Sequence, residues 1–322
     1  MITNPTVFVL GAGASVDYGF PIGRQLVLNI VRSCDDFQLR SLVDPGDMDL
    51  HEGERAPDFA EALALSNQQS IDSFLSKNSE YREIGLRAIA LNLLPCEKLN
   101  QFEMSAEKRF YEGLLQFLDP PTEKDFERNR ASIVTFNYDR SLEQFLYQSW
   151  MNSFGLSHYE TVQLMKNIEI IHVHGELGKH PAFDENGLQY GTVDVPNKTA
   201  FEVFPRDVLT RAVESLKLAY DSNIYRYGPM QRANFLLQHA KQVCFLGFGY
   251  GEENLCNLFQ VPAPKEIGAA FSAAFFGSAM NVPQSDRYRT EVNFGGRIQL
   301  ADPSSDCLEA LGELELRLDE LQ

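Results

Sequence analysis

The feature that most constrains this chain is Thr6-Val7-Phe8-Val9-Leu10 running directly into Gly11-Ala12-Gly13-Ala14-Ser15. An apolar, β-branched run without polar alternation suits a strand buried on both faces, as in a parallel sheet. Glycines just past such a strand let the backbone approach a pyrophosphate, and a following helix start favours the anion. The spacing is G-x-G-x-S rather than G-x-G-x-x-G. The same residues therefore also fit a tight strand–helix turn with no ligand. Ile22, Leu26, Val27, Ile30 and Val31 then mark one face of a helix.

The remaining pattern alternates strands with helices. Asp35 to Phe59 loses its period and is rich in Asp, Gly and Pro, which predicts a loop. Apolar spacing predicts helix from about Ser70, through Ile71, Phe74, Leu75, Ile84, Ile89, Leu93 and Leu94, and again over Phe110 to Leu118. Strands are expected at Ser132–Phe136, Glu169–Val173 and Gln242–Leu246, with weaker ones near Ala273–Phe276 and Arg297–Leu300. Helices are expected around Leu142–Leu146 and from Val208 to Ala219, with a closing helix over Ser305–Gln322, and Gly178–Asn197 reads as loop. The implied architecture is α/β: a doubly wound, mostly parallel, Rossmann-like sheet with helical insertions. The whole of 1–322 reads as one domain, with a helical insertion over about 36–130 and a loop and helix insertion over about 176–240.

Composition narrows the function. The formal net charge is −17, and so acidic a surface repels a phosphate backbone, which makes direct nucleic-acid binding an unfavourable expectation. No apolar run approaches the ~18–20 residues that span a bilayer, and the first residues read as a strand rather than a signal peptide. The five cysteines, Cys34, Cys96, Cys244, Cys256 and Cys307, are widely spaced with no C-x-x-C pair. That pattern predicts neither a zinc site nor a disulfide framework, and fits a reducing cytoplasm with buried thiols.

Three further polar motifs each follow an expected strand. In Thr135-Phe136-Asn137-Tyr138-Asp139, Asn137 is suited to fixing ribose hydroxyls or a water. Asp139 is equally suited to capping the next helix. In His172-Val173-His174-Gly175, alternate strand residues share a side, so both imidazoles are expected toward one pocket. One suits acid–base work and the other a hydrogen-bonded core role; His174, next to the glycine, is the chemical candidate. Gly247-Phe248-Gly249-Tyr250, with Glu253 and Asn254 beyond, is either a second ligand-facing turn or a plain one. Ligands of doubly wound sheets bind at the carboxyl ends of strands near the topological switch point, where all four motifs would converge.

Taken together, the motifs resemble the sirtuin superfamily. Its G-A-G-x-S turn and G-I-P-x-F-R loop are similar to Gly11–Ser15 and to Gly19-Phe20-Pro21-Ile22-Gly23-Arg24; its T-Q-N-x-D to Thr135–Asp139; its His-Gly to His174-Gly175; and its late glycine turn to Gly247-Phe248-Gly249. Ser70-Ile71-Asp72-Ser73-Phe74-Leu75 looks like a segment of the bacterial sirtuin-like branch. The stretch Glu176–Lys241 has no cysteine, whereas protein deacylases of the superfamily hold a four-cysteine zinc module there. Gly23 stands where their cofactor loop has an aromatic. The chain thus resembles the defence-associated bacterial branch that consumes NAD during phage infection.

The resemblance implies an NAD+ glycohydrolase, with NAD as substrate and no metal. Asn137 would bind the nicotinamide ribose and position water, His174 would act as base, and Asp139 would orient the loop or stabilise developing positive charge. Gly11, Ala12, Gly13 and Ser15 would cradle the pyrophosphate with Arg24 nearby, Gly247 and Gly249 would approach the adenosine end, and Phe20, Pro21, Thr135 and Asn254 would complete the cofactor-binding set. The competing readings are an NAD or ADP-ribose sensor without chemistry, an NAD-dependent protein deacylase, and an ordinary dehydrogenase. The last needs an acidic residue ending a second strand; Asp35 and Asp36 lie at that distance but follow a helix. An NAD-destroying enzyme must be silent in healthy cells, so homo-oligomerisation or a partner such as an ATPase is expected as its control.

Overall fold

A computed structural model describes residues 1–35, 56–192, 206–218 and 228–318. Strand β1 (Thr6–Leu10) is buried at all five positions. Gly11 turns it into a 3-10 helix over Ala12–Tyr18, which Gly19 closes in the left-handed conformation (φ 81°). Then follow α1 (Gly23–Asp35), α2 (Ala56–Leu65), α3 (Ile71–Leu75), α4 (Arg82–Leu93) and α5 (Phe110–Leu118) before β2 (Ala131–Thr135). Next come α6 (Ser141–Phe154), α7 (His158–Met165), β3 (Glu169–His172), α8 (Arg206–Glu214) and α9 (Pro229–His239). The second half of the sheet is β4 (Gln242–Leu246), β5 (Ala274–Gly277) and β6 (Ile298–Leu300). Helices α10 (Glu252–Phe259), α11 (Ile267–Ala270), α12 (Gln284–Asn293) and α13 (Cys307–Leu318) fall between and after these strands.

All six strands are parallel, in the order β3-β2-β1-β4-β5-β6. This is the Rossmann-like order, with its switch point between β1 and β4. Alternation along β1 divides the molecule into two cores. Phe8 and Leu10 pack with the helices between β1 and β2, with α6 and with α13. Val7 and Val9 pack on the opposite face with α9 and α10. Burial on both faces explains why the central strand β1 reads as an apolar run without polar alternation. Register sets the level of the strand tips: Leu10 lies opposite Thr135 and Leu246, and Thr135 opposite His172. All four polar motifs therefore leave the sheet from one row.

Several expectations are corrected. The loop expected over Asp35–Phe59 is helical at both ends, since α1 runs to Asp35 and α2 starts at Ala56. There the buried Ala56, Phe59, Ala60 and Leu63 form a helical stripe; residues 36–55 lie outside the described residues. The helical stretch from Ser70 is broken in two: Ser70 caps the one-turn α3 by accepting the Ser73 N–H at 3.1 Å, α3 ends at Leu75, and a 3-10 turn over Ser79–Tyr81 leads into α4. Strand β3 stops at His172, so Val173 and His174 lie in a turn, where Gly175 takes φ 70°. The helix expected to Ala219 ends at Glu214. Leu216 instead bridges Gly175 in antiparallel fashion, and Ala219 lies outside the described residues. So do 193–197 of the expected 178–197 loop and 319–322 of the closing helix.

Candidate active site

Three glycines interlock where β1 and β4 leave the sheet. Gly11 N–H donates to Leu246 O and Gly13 N–H to Gly247 O, both at 3.0 Å. A Cβ on Gly13 would stand 2.7 Å from the Gly247 Cα; one on Gly247, which has φ 63°, would stand 2.2 Å from the Ala14 N. The small size of Gly11, Gly13 and Gly247 is thus required by one strand tip lying against the other. Gly249 differs: it is exposed, and nothing lies within 4 Å of where its Cβ would be. Around this turn Phe20 is buried, Ala12 and Pro21 are half-buried, Arg24 is exposed at the start of α1, and Asn254 is half-buried on α10.

The β2 tip carries a buried polar cluster. Asn137 N–H donates to Thr135 Oγ1 at 3.0 Å, a turn contact that holds the residue just past the strand. The Asn137 side chain donates through Nδ2 to Ser15 Oγ at 2.9 Å. Ser15 meets the Tyr111 hydroxyl at 3.0 Å, and that hydroxyl meets Ser141 Oγ at 2.7 Å. Asp139 Oδ1 accepts from the Ser141 backbone N–H at 3.1 Å and from the Ser141 hydroxyl. Asp139 therefore holds the first residue of α6 through an Asx-type turn, while the cap position itself is Arg140, which makes no side-chain cap hydrogen bond. Burial raises its carboxyl above the usual range, opposed by the hydrogen bonds from Ser141. Asn137 Oδ1 is buried and has no hydrogen-bond partner among the described residues.

The two histidines part company. His172 is enclosed: Nδ1 lies 2.9 Å from Asn137 O and Nε2 2.5 Å from Glu143 Oε1. Burial pulls its pKa down, but the Glu143 carboxylate outweighs this and lifts it to about 9. Burial likewise opposes ionisation of Glu143, and the His172 charge outweighs it, so that carboxyl sits low. This is a core ion pair. The expectation that both imidazoles face one pocket as strand neighbours fails, because the strand ends between them. His174 packs edge-on to Phe136, with ring centroids 5.2 Å apart. Its Nδ1 stands 3.8 Å from Asp72 Oδ1, which also accepts the Tyr138 hydroxyl. His174 Nε2 is buried with no hydrogen-bond partner among the described residues. Burial lowers its pKa, only partly offset by Asp72, and keeps the imidazole neutral near pH 7.

Several contributors were not singled out from the sequence. Tyr111, Asp72 and Glu97 all come from the stretch between β1 and β2. Arg140, next after Asp139, is fully buried and pairs with Glu97 through Nε at 3.0 Å and Nη2 at 2.8 Å. Tyr111 sits within an apolar helical stripe and reads as core. Arg140 had a signal, since a charged residue between a buried strand and its helix invites the question of its partner. Cys96, Cys244, Cys256 and Cys307 are free, and burial pushes Cys244 up to about 12. Among the described residues, no three His, Cys, Asp or Glu are grouped to hold a metal ion, and no helix is long and apolar enough to cross a membrane. No family model matches the chain, and no curated protein matches it.

Proposed function

We propose that the chain hydrolyses NAD+ at the nicotinamide–ribose bond, releasing nicotinamide and ADP-ribose. One observation carries this reading. Two side chains at neighbouring strand tips, Asn137 and His174, are buried, and each keeps a single polar atom unpartnered among the described residues. Buried polar groups are ordinarily satisfied, so such orphans point to a missing ligand. The fold adds that the tips lie at the carboxyl edge of a Rossmann-like sheet, where dinucleotides bind. The sirtuin-like pattern of Gly11–Ser15, Thr135–Asp139 and His174-Gly175 supplies the reaction class.

In this mechanism the departing nicotinamide takes the electron pair of the C–N bond, and the ribose passes through an oxocarbenium-like state. Water forms the new C–O bond. Its proton goes to Nε2 of His174, which burial keeps neutral and able to accept it. Asn137 Oδ1 receives a hydrogen bond from the ribose hydroxyl or from the water. The acidic surface offers the anionic substrate no general attraction, so Arg24 and local backbone N–H groups hold the pyrophosphate. By the same resemblance, the activity serves bacterial anti-phage defence through NAD depletion, under control of self-assembly or a partner ATPase.

The test is direct. Purified protein, alone and with the product of a neighbouring gene, should release nicotinamide and ADP-ribose from NAD as resolved by chromatography. Asn137→Ala and His174→Ala should each lower the rate by at least ~100-fold. Near wild-type turnover in both variants would overturn the assignment. Tight binding with NAD intact after long incubation would make the chain a sensor instead.

A further inference from the structure

The hydrogen bonds behind Asn137 have a readable direction. Asp139 Oδ1 accepts the Ser141 backbone N–H, a group that can only donate. The same oxygen is therefore the acceptor for the Ser141 hydroxyl. A hydroxyl has one proton to give. With that of Ser141 committed, Ser141 Oγ accepts from Tyr111, 2.7 Å away. Tyr111, its own proton spent, accepts from Ser15 at 3.0 Å. Ser15, its proton given to Tyr111, has then only lone pairs left for Asn137, and takes its Nδ2–H at 2.9 Å. The series runs one way, from Asn137 through Ser15, Tyr111 and Ser141 to Asp139. At its outer end it turns the NH2 of Asn137 inward and leaves Oδ1 as the unpartnered atom.

Tyr111 is itself held. Its backbone N–H donates to the Tyr18 hydroxyl at 3.0 Å, and its ring stacks on Tyr18 with centroids 4.0 Å apart. Every member of the series is buried. Low local dielectric strengthens such a network and makes a reversed member costly.

We propose that Tyr111 and Asp139 are positioning residues: their one-way relay fixes Asn137 with its carbonyl oxygen toward the ligand, so that the site selects a hydrogen-bond donor there, a ribose hydroxyl or water. This rests on the NAD reading for its substrate. It departs from what the family pattern implies for Asp139, because the relay needs Oδ1 as an acceptor and not a charge near the reacting carbon.

The paired substitutions at Asp139 separate these roles. Asp139→Ala removes the acceptor and should lower kcat about 10–100-fold, the scale of a misplaced catalytic group. Asp139→Asn keeps an acceptor oxygen for Ser141 and should recover most of that loss. Tyr111→Phe keeps the ring stack and cuts the relay; kcat should fall by a similar factor with KM for NAD changed less than about threefold. Its preference for NAD over an analogue lacking the nicotinamide-ribose 2′-hydroxyl should also shrink. Asp139→Asn as inactive as Asp139→Ala, or Tyr111→Phe with wild-type kcat and preference, would overturn the proposal.

A second measurement does not depend on catalysis. In protein labelled with 15N-asparagine, the Asn137 side-chain NH2, identified by its absence in Asn137→Ala, should be protected from solvent exchange and lose protection in Tyr111→Phe. If wild type cleaves no NAD yet shows this pattern, the relay stands and the NAD reading falls. Free exchange in wild type sinks the relay itself.

Discussion

His172 and His174 differ in what faces their nitrogens. Glu143 and the Asn137 carbonyl use both nitrogens of His172, while Nε2 of His174 has no partner among the described residues. The consequence for stability has a definite sign. The His172 pKa is raised to about 9 in the folded protein, against roughly 6.5 in an unfolded chain. Its contribution is therefore complete below about 6.5 and is lost as pH rises toward 9. Glu143 is lowered, so its contribution is present above the ordinary carboxylate range and is lost on acidification. The pair stabilises most between those limits. Wild-type melting temperature should thus fall between pH 6.5 and 9.5 more steeply than that of His172→Gln/Glu143→Gln, which has no such pair to titrate. Parallel curves for the two proteins would contradict the assignment. None of this is legible in His172-Val173-His174: Glu143 lies 29 positions earlier, and only the end of β3 separates the two rings. What was legible was the glycine after His174, where the chain must turn.

At the level of elements, apolar runs gave away the central strands, since β1 and β4 are buried at every position, whereas the edge strand β6 exposes Gln299 and reads more weakly. The early helices were harder. The stripe of α2 begins inside a stretch rich in Asp, Gly and Pro, and the turn between Leu75 and Arg82 divides a pattern that apolar spacing alone joins into one helix. The glycine turns show the same division between what composition announces and what geometry decides. Gly11, Gly13 and Gly247 are explained by strand tips in contact, whereas Gly249 has open space. Gly13→Ala and Gly247→Ala should therefore destabilise the protein by several kcal/mol, on the order of a severe steric clash in a rigid site, with thermal melting as the readout. Gly249→Ala should leave melting within the roughly ±0.5 kcal/mol of an ordinary surface change while weakening NAD binding measured by calorimetry. If Gly249→Ala binds NAD like wild type, that glycine faces no ligand.

Across the whole molecule, the helices between β1 and β2 do more than cover one face of the sheet. Asp72 reaches Tyr138, Glu97 reaches Arg140, and Tyr111 reaches Ser141. Three separate helical or turn segments thus end on one stretch of six residues after β2. The Glu97–Arg140 contact also gathers the segment after β3: Arg140 Nη1 donates to the Lys179 carbonyl at 3.2 Å and to that of Leu188, and Glu97 Oε2 accepts the Gly191 N–H at 3.2 Å. Burial pushes Glu97 upward against the pull of Arg140, as expected where desolvation is costly. Such a pair adds little over an apolar replacement, but breaking one side strands a buried charge at a cost of ~3–5 kcal/mol. That is a large share of a total stability of roughly 5–15 kcal/mol. Arg140→Met alone should therefore lower stability by about that amount in denaturant unfolding. Glu97→Gln/Arg140→Met should cost clearly less than the sum of the two single changes, because it removes both charges together. Additive losses below ~1 kcal/mol each, the range of an exposed ion pair, would mean that the helical segments are held over the β2 and β3 tips by apolar packing alone.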